Sequence, residues 1–265
     1  MVGRKARRSF FEERWADGRI ARLQPLAEEL AAKKPALIVA APTLSVGFAA
    51  KAAPKTPIVM ASGGDPVAAG HVKSLARPGG MITGLTDFNI SISEKYIELL
   101  LEAAPKVRRV GVLSGPTIGR NAAGRSLPQE AVLRSAVQYK VEARFAEVSK
   151  AEDIEPAIAR LAKEGVQALV VLQNPLLRVE RRRIMKLALA QRWPVVTGAS
   201  EYADEGALIS YSADVLANYR RAAYYVDRIL KGAKPADLPI EQSTKFEFML
   251  NLKTAKALGS RRAAP

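Results

Sequence analysis

The stretch Ile154-Glu-Pro-Ala-Ile-Ala-Arg-Leu-Ala-Lys-Glu-Gly165, followed by Val-Gln-Ala168-Leu-Val-Val-Leu172, decides the fold class. Ile154, Ile158 and Leu161 share one helical face, and Ser149 with Glu152 matches a capping box that opens the helix. Gly165 supplies the left-handed residue that ends it. Ala168 to Leu172 is apolar without alternation, which suits a strand covered on both faces in a parallel sheet. Working outward, Ala36-Leu-Ile-Val-Ala40, Pro57-Ile-Val-Met60, Val110-Gly-Val-Leu113 and Pro194-Val-Val196 read the same way. Ser91-Ile-Ser-Glu94 is a second capping-box match, before Ile97, Leu100, Leu101 and Ala104, and Pro105 stops that helix. A third helix carries Val215, Tyr219, Ala222, Val226 and Ile229 and ends at Gly232. Strand and helix alternate throughout, so the class is α/β with right-handed crossovers.

The alternation divides in two. One series runs from about residue 10 to Gly84, and another from Arg109 to Pro194. Gly206 to Ser212 and the alternating Lys245-Phe-Glu-Phe-Met-Leu250 read as later strands that return to the two series. The expected architecture is two doubly wound parallel-sheet lobes joined by crossovers, a hinged pair able to close on a small ligand. Residues 1–90 with 205–240 are assigned to the N-terminal lobe, 105–200 with 245–259 to the C-terminal lobe, and 260–265 to a tail.

The 265 residues include 41 Lys plus Arg and 26 Asp plus Glu, a net charge of +15, with no cysteine and one histidine. A disulfide framework, a thiol nucleophile and a thiolate metal site are excluded, and zinc catalysis nearly so. No apolar run approaches the ~18 residues of a membrane span. The basic residues fall in small groups, Arg4 to Arg8, Arg178 to Arg183, Arg220-Arg221 and Arg261-Arg262, and only 6% of the chain is aromatic. That distribution reads as solvated faces rather than a nucleic-acid surface. The start is basic, but Phe10-Phe-Glu-Glu13 stands where a signal peptide would carry its apolar stretch, so no export signal is read.

Ligands of open α/β sheets bind outside the carboxyl ends of the strands. Five small, polar loops meet that rule: Ala41 to Ser45, Ala61 to Pro66, Ser114 to Thr117, Gln173 to Pro175 and Thr197 to Glu201. Turn chemistry alone favours such residues, but five such loops on a two-lobed chain point to a cleft. Asp65, in Gly63-Gly-Asp-Pro66, either receives a ligand ammonium or caps a helix from Val67 to Leu75. Thr43, Ser62 and Thr117 offer donors for a carboxylate, and Asn174 could orient the ligand from the second lobe. Glu201 is either a cleft carboxylate or a solvated one, and Tyr211 either a stacking aromatic or a core one. His71 reads as a surface or packing residue, and Trp193 as a core one. Gly79-Gly-Met-Ile-Thr-Gly84 reads as a turn, since its glycine spacing does not suit a phosphate cradle. No nucleophile elbow, Walker A or dinucleotide fingerprint is present. No catalytic residue, metal site or cofactor is therefore expected.

At these residues the chain resembles the substrate-binding proteins of ABC transporters, in the branch with tryptophan- and tyrosine-binding members. The resemblance is carried by Arg14-Trp-Ala-Asp-Gly-Arg19, Pro57-Ile-Val-Met60 with Gly64-Asp-Pro-Val67, and Leu75-Ala-Arg-Pro-Gly-Gly80 with Ile82-Thr-Gly84. Tyr225 to Pro239, Thr244-Lys-Phe-Glu247 and Asn251 to Gly259 continue it, in order, over about residues 12 to 259. It implies a type I periplasmic-binding fold with three crossovers, no catalysis, and delivery of a solute to a membrane permease. It also places Thr43, Ser62, Asp65, Thr83, Asn174 and Glu201 in or beside the cleft.

Similar proteins begin with an export signal, then a strand and helix ahead of the segment matching Phe11 to Arg19. By that measure the chain is N-terminally truncated, and its neighbouring strands lose ladder partners. Two cleft loops also depart from the family pattern. Ser114-Gly-Pro-Thr-Ile-Gly119 replaces an Asn-Pro opening, and Ser200 stands where an Arg often precedes the glutamate. The leading expectation is an importer's solute-binding component, monomeric and extracytoplasmic, taking an amino acid or related carboxylate. A cytoplasmic sensor of the same fold, a degenerate copy and a doubly wound enzyme are the rivals.

Overall fold

The computed structural model describes residues 11–87, 90–116 and 121–259. In chain order the elements are α1 (Leu23–Ala32), β1 (Ile38–Ala40), α2 (Thr43–Ala52), β2 (Ile58–Met60), β3 (Ile82–Thr86) and α3 (Ile90–Ala103). Next come β4 (Arg109–Ser114), α4 (Leu127–Gln138), β5 (Glu142–Glu147), α5 (Ile154–Lys163), β6 (Ala168–Val171), α6 (Pro175–Val179) and α7 (Arg181–Ala190). The chain ends through β7 (Val195–Thr197), α8 (Glu201–Asp204), β8 (Ile209–Ala213), α9 (Val215–Leu230), β9 (Glu241–Gln242), β10 (Phe246–Leu250) and α10 (Leu252–Ala257).

Two sheets form, as the continuous apolar runs require. One has the order β1-β2-β3-β9, all parallel, and the other β10-β8-β7-β6-β4-β5, with β10 alone antiparallel. Each is covered on both faces. In the first lobe α2 packs Val46 and Ala49 against Ile38, Ile58 and Met60, while α9 seats Ala222 and Tyr225 on Val59 and Leu85. In the second, α3 and α4 bury Ile97, Leu100 and Val132 on Val110, Val112 and Val170. The amphipathic α5 and α7 bury Ile154, Leu161 and Ile184 on the opposite face, where Trp193, between α7 and β7, joins them. The chain crosses between the lobes after β3, after β8 and after β9.

Several expectations need correction. Ile82 to Thr86 is a fully buried strand at the centre of its sheet, not the tail of a turn. Gly84 has φ +123°, and a Cβ there would lie 2.2 Å from the Met60 carbonyl oxygen, so glycine permits the approach of β3 to β2. The helix expected from Val67 to Leu75 is instead a turn from Pro66 ending at Gly70, whose φ is +72°. Residues 209–213, assigned to the first lobe, pair with β7 and β10 in the second sheet. Glu152 caps nothing; Asp153 accepts from the Ser149 and Lys150 N–H groups. Ser91 does not open α3, which is already helical at Ile90. Gly165 and Gly232 do adopt positive φ just beyond α5 and α9.

The edge of the first lobe is bare on one side. Among the described residues β1 pairs with β2 alone, and its Val39 is 45% exposed although apolar.

Candidate functional site

The residue after β3 and the helix after β6 lie within electrostatic reach of each other across the interlobe seam, where Arg178 acts on Asp87. On the first lobe the loop Ala61 to Pro66 is held in a cage of short bonds. The Thr86 hydroxyl donates to the Gly63 carbonyl (2.8 Å) and lies 2.9 Å from that of Gly64. Thr43 Oγ1 accepts from the Gly64 N–H at 2.6 Å. The Asp87 carboxylate, one residue past β3, accepts from Ser62 Oγ (2.9 Å) and the Gly63 N–H (2.8 Å). The Asp87 N–H returns a bond to the Gly63 carbonyl at 3.1 Å. Burial pushes the Asp87 carboxyl up from the ordinary carboxylate range, against the pull of those donors and of Arg178 from the other lobe.

Asp87 is the residue that sequence reading missed. Its signal was Thr86-Asp87 directly after an apolar pair, and it was lost when residues 79–84 were read as a turn. Tyr96, from α3, lies close enough for its phenol to be raised by burial first and then by Asp87 and Tyr211. Gly198 makes room for that ring: a Cβ there would lie 2.3 Å from Tyr96 Oη and 2.8 Å from Gln173 Cγ. Tyr219, from α9, is raised by burial and feels both Arg178 and Asp87. Asp87 thus lies within electrostatic reach of Arg178, Tyr96 and Tyr219, which come from α6, α3 and α9.

The residues picked from sequence are distributed as follows. Ser62 is bound to Asp87, and Thr43 braces the same loop. Tyr211 packs its ring 5.9 Å from Phe246 and reaches Tyr96 electrostatically. Glu201 opens α8 and is ion-paired with Arg178. Asn174 is committed to the scaffold: Oδ1 accepts from Leu176 N–H at 2.9 Å, and Nδ2 donates to the Pro116 carbonyl at 3.0 Å. Gly115 lets that side chain in, since a Cβ there would lie 2.3 Å from Asn174 Cγ. Asp65 turns Oδ1 to the Val67 and Ala68 N–H groups (2.9 and 3.1 Å), the capping role. Thr83 is buried and donates to the Leu238 carbonyl at 2.6 Å, away from the seam. Thr117 lies outside the described residues. His71 packs beneath α2 with Nε2 3.1 Å from the Thr43 carbonyl oxygen.

The basic run Arg178 to Arg183 is an ion-paired face. Arg181 and Arg182 meet Glu205 (3.6 and 2.9 Å), and Arg183 meets Glu155 (3.3 Å) and Glu180 (3.9 Å). A recess of about 570 Å³ lies at the opposite end of the first lobe, where Ala36, Pro57 and Met81 precede their strands. Its lining is mostly apolar, Met81, Ile229 and Leu230 included, with Lys234 its one charged residue.

A family model for ABC transporter substrate binding proteins matches residues 6–261. The chain belongs to that family. A tyrosine-binding protein of Clostridioides difficile strain R20291 is 27% identical over 235 residues, which are 89% of this chain and 66% of the relative. The chain thus spans just under two thirds of that protein's length. A conserved domain protein of Vibrio cholerae O1 biovar El Tor superposes with a TM-score of 0.84 at 27% identity, over 92% of this chain and 80% of the other. A Streptococcus ABC domain solved in complex with L-Trp superposes at 0.82 with 24% identity, over 91% and 79% of the two chains. The fold, two parallel-sheet lobes of the periplasmic-binding kind, is the family's own.

Proposed function

We propose that this substrate-binding protein serves an ABC-type importer outside the cytoplasm, shutting its lobes on one free amino acid and handing it unaltered to a membrane permease. The observation that carries the reading is Asp87. A part-buried carboxylate at a strand end, held by Ser62 and Gly63 and raised by burial, is suited to a ligand ammonium. The cost of keeping it charged in the empty protein falls once a cation sits beside it. Tyr211 and Tyr219, which are not buried as Tyr96 is, add apolar ring surface with polar edges, which favours an amino acid with a flat side chain. The relatives that bind tyrosine and L-Trp support the same choice of ligand class. Closure is a population shift: a ligand that touches both lobes stabilises the shut form.

The test is a thermal-shift panel of the proteinogenic amino acids and small acids. At a hundred times Kd a true ligand adds about 2.7 kcal/mol of stability. For a chain of this size that is roughly 5–10 °C. A panel that moves the melting temperature nowhere sinks the reading.

A further inference from the structure

We propose that Arg178 is the specificity-determining cation of the cleft, admitting only ligands that carry a carboxylate, and that Glu201 is the residue that positions it. The inference rests on the reading of the seam as a ligand site. α6 is a helix of five residues, too short for its amino end to hold an anion by itself. A side-chain cation has to supply that function. Arg178 lies in its last turn, and its Nη2 donates to Glu201 Oε1 at the start of α8. A guanidinium carries five N–H donors, so one pinned by a single carboxylate keeps others for a ligand.

Its place in the molecule separates it from the rest of the basic run. Arg181, Arg182 and Arg183 are turned to Glu205, Glu155 and Glu180 on their own lobe. Arg178 is half-exposed, and its charge reaches Asp87 and Tyr219 as well as Tyr202 of its own lobe. The residue beside it, Val179, is where the first lobe touches down: a Cβ on Gly18 would lie 2.7 Å from Val179 Cγ2. Opening the lobes therefore withdraws Arg178 from Asp87, and closing them sets a cation opposite an anion. An α-amino acid presents one charge to each. An acid lacking the ammonium leaves the part-buried Asp87 uncompensated, and an amine lacking the carboxylate forgoes the charge-assisted bond to Arg178.

Calorimetric titration of the full chain with matched probes tests this: L-tryptophan against tryptamine, and L-tyrosine against tyramine. The unaltered protein is expected to bind the better amino acid at least about tenfold tighter than its amine, the scale of a charge-assisted hydrogen bond. Arg178→Gln should bring that ratio close to one by weakening the amino acid alone, with the ligand-free melting temperature little changed, as expected of an exposed side chain. Glu201→Gln should reduce the ratio part-way while leaving the amine's affinity intact, a selectivity that a merely structural role would not produce. If Arg178→Gln binds the amino acid as tightly as the unaltered chain, the inference is overturned and the cleft reading stands. If Glu201→Gln leaves the ratio unchanged, its positioning role is overturned. No amino-acid binding by the unaltered chain overturns both.

Discussion

Asp87, the proposed receiver of the ligand ammonium, carries a cost in stability. Its carboxyl titrates above the ordinary range because burial disfavours the charge more than Ser62, Gly63 and Arg178 favour it. A group whose folded-state pKa is raised contributes stability that is full below its unfolded pKa and is lost as pH rises through the folded one. At neutral pH, then, Asp87 holds its charge at the expense of the empty protein. Asp87→Asn keeps an acceptor for the Gly63 N–H in Oδ1, while Nδ2 faces Ser62 Oγ, a hydroxyl that can turn to accept from it. It should raise the ligand-free melting temperature at pH 7, with the gain shrinking as pH falls toward 4, while amino-acid affinity drops at least about tenfold, as for a lost charge-assisted bond. Calorimetric melts over that pH range, paired with titrations, check both halves. A variant that loses neither affinity nor its pH dependence would remove Asp87 from the site. In the unaltered protein, acidification should weaken binding, because protonated Asp87 no longer attracts an ammonium.

At the scale of elements, the seam is shaped by loops whose polar groups serve the scaffold before any ligand. Asn174 is the clearest example, capping α6 through Leu176 and tying that helix to the β4 loop through Pro116. Replacing it with alanine should cost about 1–2 kcal/mol, the range for a lost cap. The same change loosens the base on which Arg178 stands. Chemical denaturation would read the first effect, and a weaker amino-acid affinity with unchanged amine affinity the second. Elements with strong periodicity, such as α5 and α9 and the uniformly apolar β6, were legible from sequence because both faces of each strand and one face of each helix are buried. β3 was not legible, because its Gly84 is required by contact with Met60, a partner 24 residues away that local pattern cannot disclose. β5 was missed for the opposite reason: as an edge strand of mostly exposed residues, Glu142-Ala-Arg-Phe-Ala-Glu147 has little apolar signal to read.

For the whole molecule, the proposed closure depends on where the two lobes touch. The Gly18–Val179 contact is one such place, and it involves neither core. Val179→Glu puts a charge where that contact forms. It should leave the stability of the ligand-free chain within about 0.5 kcal/mol, as is usual for an exposed site. It should nonetheless weaken amino-acid binding several-fold, by making the shut form less favourable. Small-angle scattering at saturating ligand would show a larger radius of gyration than for the unaltered protein; equal radii and equal affinities would show that the contact plays no part in closure. The basic balance is also a property of the whole: the Arg178 to Arg183 run is ion-paired locally with Glu155, Glu180, Glu201 and Glu205.

By itself the sequence determined the alternation of buried strands and amphipathic helices, the division into two series, and the loops that end at the seam, since each follows from local hydrophobic period and turn chemistry. Only the tertiary structure decided which sheet receives β8, that Asp65 and Thr83 are occupied by neighbouring backbone, and that Arg178 comes within electrostatic reach of Asp87. Those outcomes depend on groups far apart in the chain, whose distances are set by sheet order and lobe placement, and no window of neighbouring residues contains that information.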